Sequence, residues 1–221
     1  MSPKRAWLFI FLILLIDQVS KVYIKTHYSL GERTEVVSWF QILFVENDGM
    51  AWGTTLSDIF SFISDKSAKL ILTLFRIIAV SFIGYWLFSV IKKKKSKVLI
   101  VAVILIFAGA LGNILDSVFY GILFNDSYGQ VAAFLPEEGG YAGLFYGKVV
   151  DMLHFPIWEG FLPEWIPFFG GQHFRFFEPV FNIADMAISS GIGILIFFNQ
   201  RAFRELPKTD TPSEASHNNL T

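Results

Sequence analysis

Apolar residues gather in this chain into four runs, and the polar positions inside them are few enough to name. The runs cover 7–26 (WLFIFLILLIDQVSKVYIKT), 68–91 (AKLILTLFRIIAVSFIGYWLFSVI), 98–119 (VLIVAVILIFAGALGNILDSVF) and 180–199. A helix needs about 20 mainly apolar residues to cross a bilayer, so each run predicts a transmembrane helix. The first has Lys4 and Arg5 ahead of it, as a signal peptide would. No small-residue cleavage site follows, and Asp17 and Lys21 interrupt where one would lie, so it is read as a retained helix. Loops 27–67 and 120–179 and a polar tail from 205 complete the pattern. The expected fold is therefore an all-α membrane domain over 1–204 with four spans. A small external β or loop region, an interfacial segment and a disordered tail over 205–221 go with it.

Basic residues orient the helices. Lys4 and Arg5 precede the first run, Lys92 to Lys95 and Lys97 join the second to the third, and Arg201, Arg204 and Lys208 follow the fourth. Four crossings place all three clusters on one side, which the positive-inside rule makes cytoplasmic. The chain is expected in the bacterial inner membrane with its two large loops outside.

Composition sharpens this picture by exclusion. The 221 residues are 53% hydrophobic and 17% charged, with mean hydropathy +0.51 and net charge −1, so no basic surface suggests a nucleic-acid partner. There is no cysteine, which removes disulfides, thiolate nucleophiles and cysteine-ligated metals. The four histidines, His27, His154, His173 and His217, show no metal-binding spacing, and His154 and His173 are expected at the interface. No cofactor or metal is expected.

The polar residues within the runs carry the remaining information. At 1.5 Å per residue, Asp17 lies about 15 Å and Lys21 about 21 Å above the cytoplasmic end of the first helix. Asn113 lies about 22 Å up the third helix, and Asp116 about 27 Å. The fourth enters from outside, so Asp185 is about 8 Å below the outer end of a core about 30 Å thick, level with Lys21 and Asn113. The second helix contributes only Arg76, also in its outer half. Asp17 and Lys21 are spaced i,i+4 and read as an ion pair; Asn113 and Asp116, and Asn182 and Asp185, are spaced i,i+3 and share faces. Gly109 to Gly112 (GALG) allow close helix approach beside Asn113. Asp185 has no basic residue within a turn, and an intramembrane carboxylate without a partner is a functional candidate. A Ser20–Lys21 dyad is disfavoured because neighbours on a helix point apart.

Two aspartates sharing a proton can act together as base and acid on water and an amide carbonyl. Asp185 needs such a partner, and Asp17, Asp48, Asp116 and Asp151 remain open by spacing alone. Asp151 lies in FYGKVVDMLHF, which alternates weakly and reads as a short strand or re-entrant segment at the outer surface. A proton-coupled carrier using Asp17, Lys21, Asp116 and Asp185 as a relay is the rival reading. Against it, the polar groups cluster at one depth instead of forming a path. A purely structural membrane subunit is a further alternative.

In order, DQVSK (17–21), NDGMAWG (47–53), GALGNILDS (109–117), VVDM (149–152) and FNIADMAI (181–188) resemble the motif series of the bacterial lipoprotein signal peptidases, signal peptidase II. The resemblance implies an aspartic endopeptidase with Asp151 and Asp185 as its catalytic pair. Its substrates would be diacylglyceryl-modified prolipoproteins, cut just before the lipidated cysteine. Asn47, Asn113 and Asn182 would line the site, and Asp17, Lys21, Gly109, Asp116 and Ala184 would support it. Membrane lipids are the other expected partners, and a monomer the expected state. Two features depart from the family. The third motif usually continues Asp-Arg, whereas Ser117 follows Asp116 here, leaving Lys148 or Arg175 as substitutes. The stretches 117–147 and 155–178 are also enlarged. The aromatic segment 158–177 suits a membrane interface either as an anchor or as a surface along which substrate lies.

Overall fold

The apolar runs form helices with their few charges turned inward, the reverse of a soluble bundle. The computed structural model describes residues 1–48, 63–156, 158–176 and 179–204. The tail from 205 and the NDGMAWG motif beyond Asp48 therefore lie outside the described residues. Helix α1 spans Pro3–His27, α2 Asp65–Lys92, α3 Lys97–Leu115 and α4 Ile183–Phe197. On α1 the buried stripe runs Ala6, Ile10, Asp17, Lys21 and Ile24, changing from apolar to charged towards its C-terminal end. Its other faces expose Trp7, Phe9, Phe11, Leu15, Ile16 and Val19, and α2 likewise exposes Phe75, Ile78, Phe82 and Phe88. Large apolar side chains facing outward and charges facing inward are what hydrocarbon solvent selects. Among the described residues, three helices are long and apolar enough to cross a membrane: Pro3–His27, Asp65–Lys92 and Lys97–Leu123, the last taken through its irregular end.

The fourth run differs from expectation. Val180–Phe181 is a strand, Asn182 is the N-cap, and the helix begins only at Ile183, leaving 15 residues, or about 22 Å. Asn182 and Asp185 thus form a capping box instead of sharing a helix face. Helix α3 also stops short of 119, at Leu115. It passes into a π-helical turn, Asp116–Tyr120, and one more helical turn, Gly121–Leu123.

Helix α3 is the centre of the bundle and packs on α1, α2 and α4. Its seam with α4 is made of small residues. A Cβ on Gly109 would collide with the Ala184 carbonyl oxygen, and one on Gly191 would lie 2.7 Å from the Ala102 carbonyl oxygen. Backbone cannot yield as a side-chain tip does, so Gly109→Val is expected to separate α3 from α4. The measurement is thermal unfolding in detergent, and a melting temperature unchanged from the parent would count against this account of the seam.

The expected small β region is an antiparallel sheet beside the C-terminal end of α1, with a separate hairpin. Strands β1 (Arg33–Val37), β2 (Phe40–Asn47), β3 (Val149–His154) and β6 (Val180–Phe181) form an antiparallel sheet in the order β1-β2-β3-β6. Strands β4 (Trp158–Phe161) and β5 (His173–Phe176) form a separate hairpin. Pairing of Leu153 with Phe181 and His154 with Val180 joins β3 to the start of α4. His154 is buried there. The enlarged stretch after α3 is tied to the bundle by Lys25, which is fully buried. Its ammonium meets Glu46 and donates to Ser127 Oγ at 2.9 Å.

Candidate active site

Where the sheet meets the C-terminal ends of α1 and α3 and the N-terminal end of α4, polar side chains form one connected cluster. Lys21 is its hub. Its three ammonium protons match three acceptors: Asp17 Oδ2 at 3.0 Å, Asp116 Oδ2 at 2.9 Å and Asn113 Oδ1 at 2.8 Å. Lys21, Asp17 and Asp116 are all fully buried. Asp17 Oδ1 accepts from the Ala184 amide at 2.9 Å, tying α1 to the first turn of α4. Asp116 Oδ2 accepts from the Val150 amide at 3.2 Å, tying the end of α3 to β3. Gln18 donates to both aspartates, at 3.0 Å to Asp17 and 2.9 Å to Asp116, and its Oε1 accepts from the Tyr120 hydroxyl at 3.2 Å. Ser20 donates to the Asp17 carbonyl, away from Lys21 Nζ, so no serine–lysine dyad forms.

Asn113 passes this order on to Asp185. Its oxygen accepts from Lys21, so its amide nitrogen points the other way and donates to Asp185 Oδ1 at 2.8 Å. Asn182 joins the two candidate aspartates. Its side chain donates to Asp151 Oδ1 at 2.7 Å, and its backbone amide donates to Asp185 Oδ2 at 3.3 Å. Asn47 donates to Asp151 Oδ2 at 3.1 Å. The structure thus gathers Asp151, Asp185, Asn47, Asn113 and Asn182 in one place, with Asp17, Lys21, Asp116, Gly109 and Ala184 behind them. Asp48 instead faces Lys69. The helix-rise arithmetic that aligned Lys21, Asn113 and Asp185 corresponds to consecutive hydrogen bonds.

Asp151 sits on β3 opposite Val45, beside a register shift in β2 between Ile42 and Val45. Such bulges re-aim neighbouring side chains and recur next to functional sites. Asp151 is 3% exposed, whereas Asp185 is half-buried. Burial, and then the nearby Asp185 charge, push the Asp151 carboxyl up to about 7, against the lowering effect of Asn47, Asn182 and Lys21.

The sequence offered Lys148 or Arg175 for the arginine missing after Asp116. Lys148 pairs with Glu46 at 3.4 Å, and the Arg175 side chain lies outside the described residues. The cation beside this position is Arg76 of α2, whose Nη1 donates to Ser117 Oγ at 3.4 Å. Spacing within α2 could not show this, because the partner lies on another helix.

This fold and site define a class: a helical membrane protein with a polar centre of one lysine and four aspartates at one end of the bundle. The chain belongs to the signal peptidase II family, whose model matches residues 9–200. It is 46% identical over 188 residues to the lipoprotein signal peptidase of Porphyromonas gingivalis, covering 85% of this chain and 79% of that protein. It is 35% identical over 210 residues to the lipoprotein signal peptidase of Amoebophilus asiaticus, covering 91% and 81%. Among solved structures it resembles a bacterial membrane enzyme determined by the in meso method at 1.9 Å, with TM-score 0.56, 26% identity and coverage of 89% and 93%.

Proposed function

We propose that this protein is an aspartic endopeptidase that removes the signal peptide from diacylglyceryl-modified prolipoproteins, cutting before the lipidated cysteine. The observation that carries the reading is the position of Asp151 and Asp185 on either side of Asn182, held by different hydrogen bonds. In the active form the pair carries one proton, placed on Asp151, whose carboxyl burial and the neighbouring Asp185 push up to about 7. The more accessible Asp185 takes a proton from a water molecule as the water oxygen attacks the scissile carbonyl carbon. Asp151 gives its proton to the carbonyl oxygen. Collapse of the resulting diol returns that hydroxyl proton to Asp151, while Asp185 passes its proton to the departing nitrogen and the C–N bond breaks. Each aspartate ends in its starting state, and no covalent enzyme intermediate forms.

In this reading α1 to α4 make four crossings with both chain termini in the cytoplasm, and the site opens just beneath the outer leaflet's surface. That depth suits a substrate whose acyl chains anchor its cysteine in the membrane. The hairpin β4–β5 exposes Phe161, and the connection between its strands exposes Trp165, Phe168 and Phe169. Such side chains partition into the headgroup region, where they anchor the external domain beside the site.

Purified protein given a diacylglyceryl-modified precursor and its unmodified counterpart should cut only the first, before the modified cysteine. Equal cutting of both would remove the lipid from recognition, and cutting of neither would remove the peptidase reading.

A further inference from the structure

Arg76 is half-buried on α2, in a helix whose exposed faces are apolar. Its guanidinium docks on Ser117, and Ser117 in turn donates to the Asn113 carbonyl oxygen at 3.0 Å. Asn113 is the residue that holds Asp185. The carboxylates that act on the guanidinium are Asp185, then Asp151, then Asp116. A fixed positive charge thus reaches the site through Ser117, from a different helix than the one that carries Lys21.

The charges facing the pair come from every element around it: Asp17 and Lys21 from α1, Arg76 from α2, Asp116 from the end of α3, and the pair itself from β3 and α4. Lys21 is engaged by two carboxylates, Asp17 and Asp116, so that trio is already net negative. Of the other lysines among the described residues on this side, Lys25 and Lys148 pair with Glu46, Lys69 pairs with Asp48, and Lys66 lies over the Tyr146 ring. Without Arg76, the cation acting on the pair would be Lys21, already shared between two carboxylates, and ionising either aspartate would be harder.

We propose that Arg76 is the charge-setting residue of the aspartate pair: its guanidinium, docked on Ser117, sets the pH range over which the pair holds a single proton. The proposal rests on the peptidase reading above. Arg76 positions protons and does not meet the reacting atoms, so pH dependence is the readout that separates this role from a structural one.

Loss of the cation makes both ionisations harder. Arg76→Gln is therefore expected to move the whole bell-shaped profile of kcat alkaline by about one pH unit, with about tenfold lower kcat at the parent optimum. KM for the lipidated precursor should stay within about twofold. Arg76→Lys keeps the charge and should keep the parent optimum. The exchange Arg76→Ser with Ser117→Arg returns a guanidinium from the other side of the same contact and should restore the parent profile. An Arg76→Gln profile centred at the parent pH, at whatever rate, overturns the proposal; this single variant decides even where the exchange fails to fold. Parent activity surviving in Asp151→Asn or Asp185→Asn would instead overturn the peptidase reading, so the two failures are distinguishable.

Discussion

Asp185→Asn is expected to bind the lipidated precursor and leave it uncut, and Asp151→Asn the same, with kcat reduced by about 10³–10⁴ in each. An amide neither takes the proton from water nor delivers one to the carbonyl, so each variant loses one half of the acid–base pair. The folds should survive. Asp185 accepts from the Asn113 amide and the Asn182 backbone, and an asparagine there keeps one of these contacts and loses the other. The loss costs about 1 kcal/mol. At Asp151 a similar loss opposes a gain. That carboxyl titrates at about 7 in the folded protein against 3.8 for its ordinary value. Native protein therefore binds more protons than unfolded chain between those values, and stability falls as pH rises through that window, then levels off above about 7. The full shift corresponds to roughly 4 kcal/mol, so Asp151→Asn should match or exceed the parent in thermal stability at pH 8 while being inactive. The same titration gives the alkaline limb of activity, since the acid is lost as pH rises past about 7. Cleavage of a lipidated precursor, its retention by affinity capture and unfolding in detergent are the three measurements. Normal turnover in either variant would remove that aspartate from the reaction.

What was legible in the sequence follows from which forces are local. The first three helices lie within a few residues of their hydropathy limits, because lipid solvation acts on each segment separately. The common depth of Lys21, Asn113 and Asp185 was legible because helical rise is constant. The beginning of α4 was not. Val180 and Phe181 are as apolar as the helix they precede, and only pairing with His154 and Leu153, some 26 to 28 positions away, makes them a strand. Asn182 was consequently assigned to a helix face when it is a cap. Asp151 could be placed on a short outer segment by weak alternation, but its choice over Asp17, Asp48 and Asp116 needed the family resemblance. The structure gives the physical reason two of those three are unsuitable: Asp17 and Asp116 are consumed by Lys21. The tie between Lys25 and Glu46 and the reach of Arg76 to Ser117 are tertiary contacts, and no periodicity within one helix announces them.

Lys21→Met is expected to destabilise the protein by about 3–5 kcal/mol, because it strips the counter-ion from two carboxylates that have no solvent. Asp17 and Asp116 would be left facing each other across the vacated ammonium site, each still anchored, to the Ala184 amide and the Val150 amide respectively. The expected observation is a large fall in melting temperature in detergent, or no accumulation of the variant in membranes. Neutralising all three positions together, as Asp17→Asn, Lys21→Met and Asp116→Asn, removes the uncompensated charge and should recover most of the stability. It should not recover the rate. Lys21 holds the oxygen end of Asn113, which is why the nitrogen end donates to Asp185. Without the ammonium that oxygen keeps the Asn182 side chain, which donates to it at 3.1 Å, and loses its charged donor, so the amide is held less firmly and its nitrogen is aimed less strictly at Asp185. A neutral triple variant that is folded yet about 10–100-fold slower would show that the buried lysine aims the site as well as holding the bundle together. One that is folded and fully active would confine Lys21 to the fold.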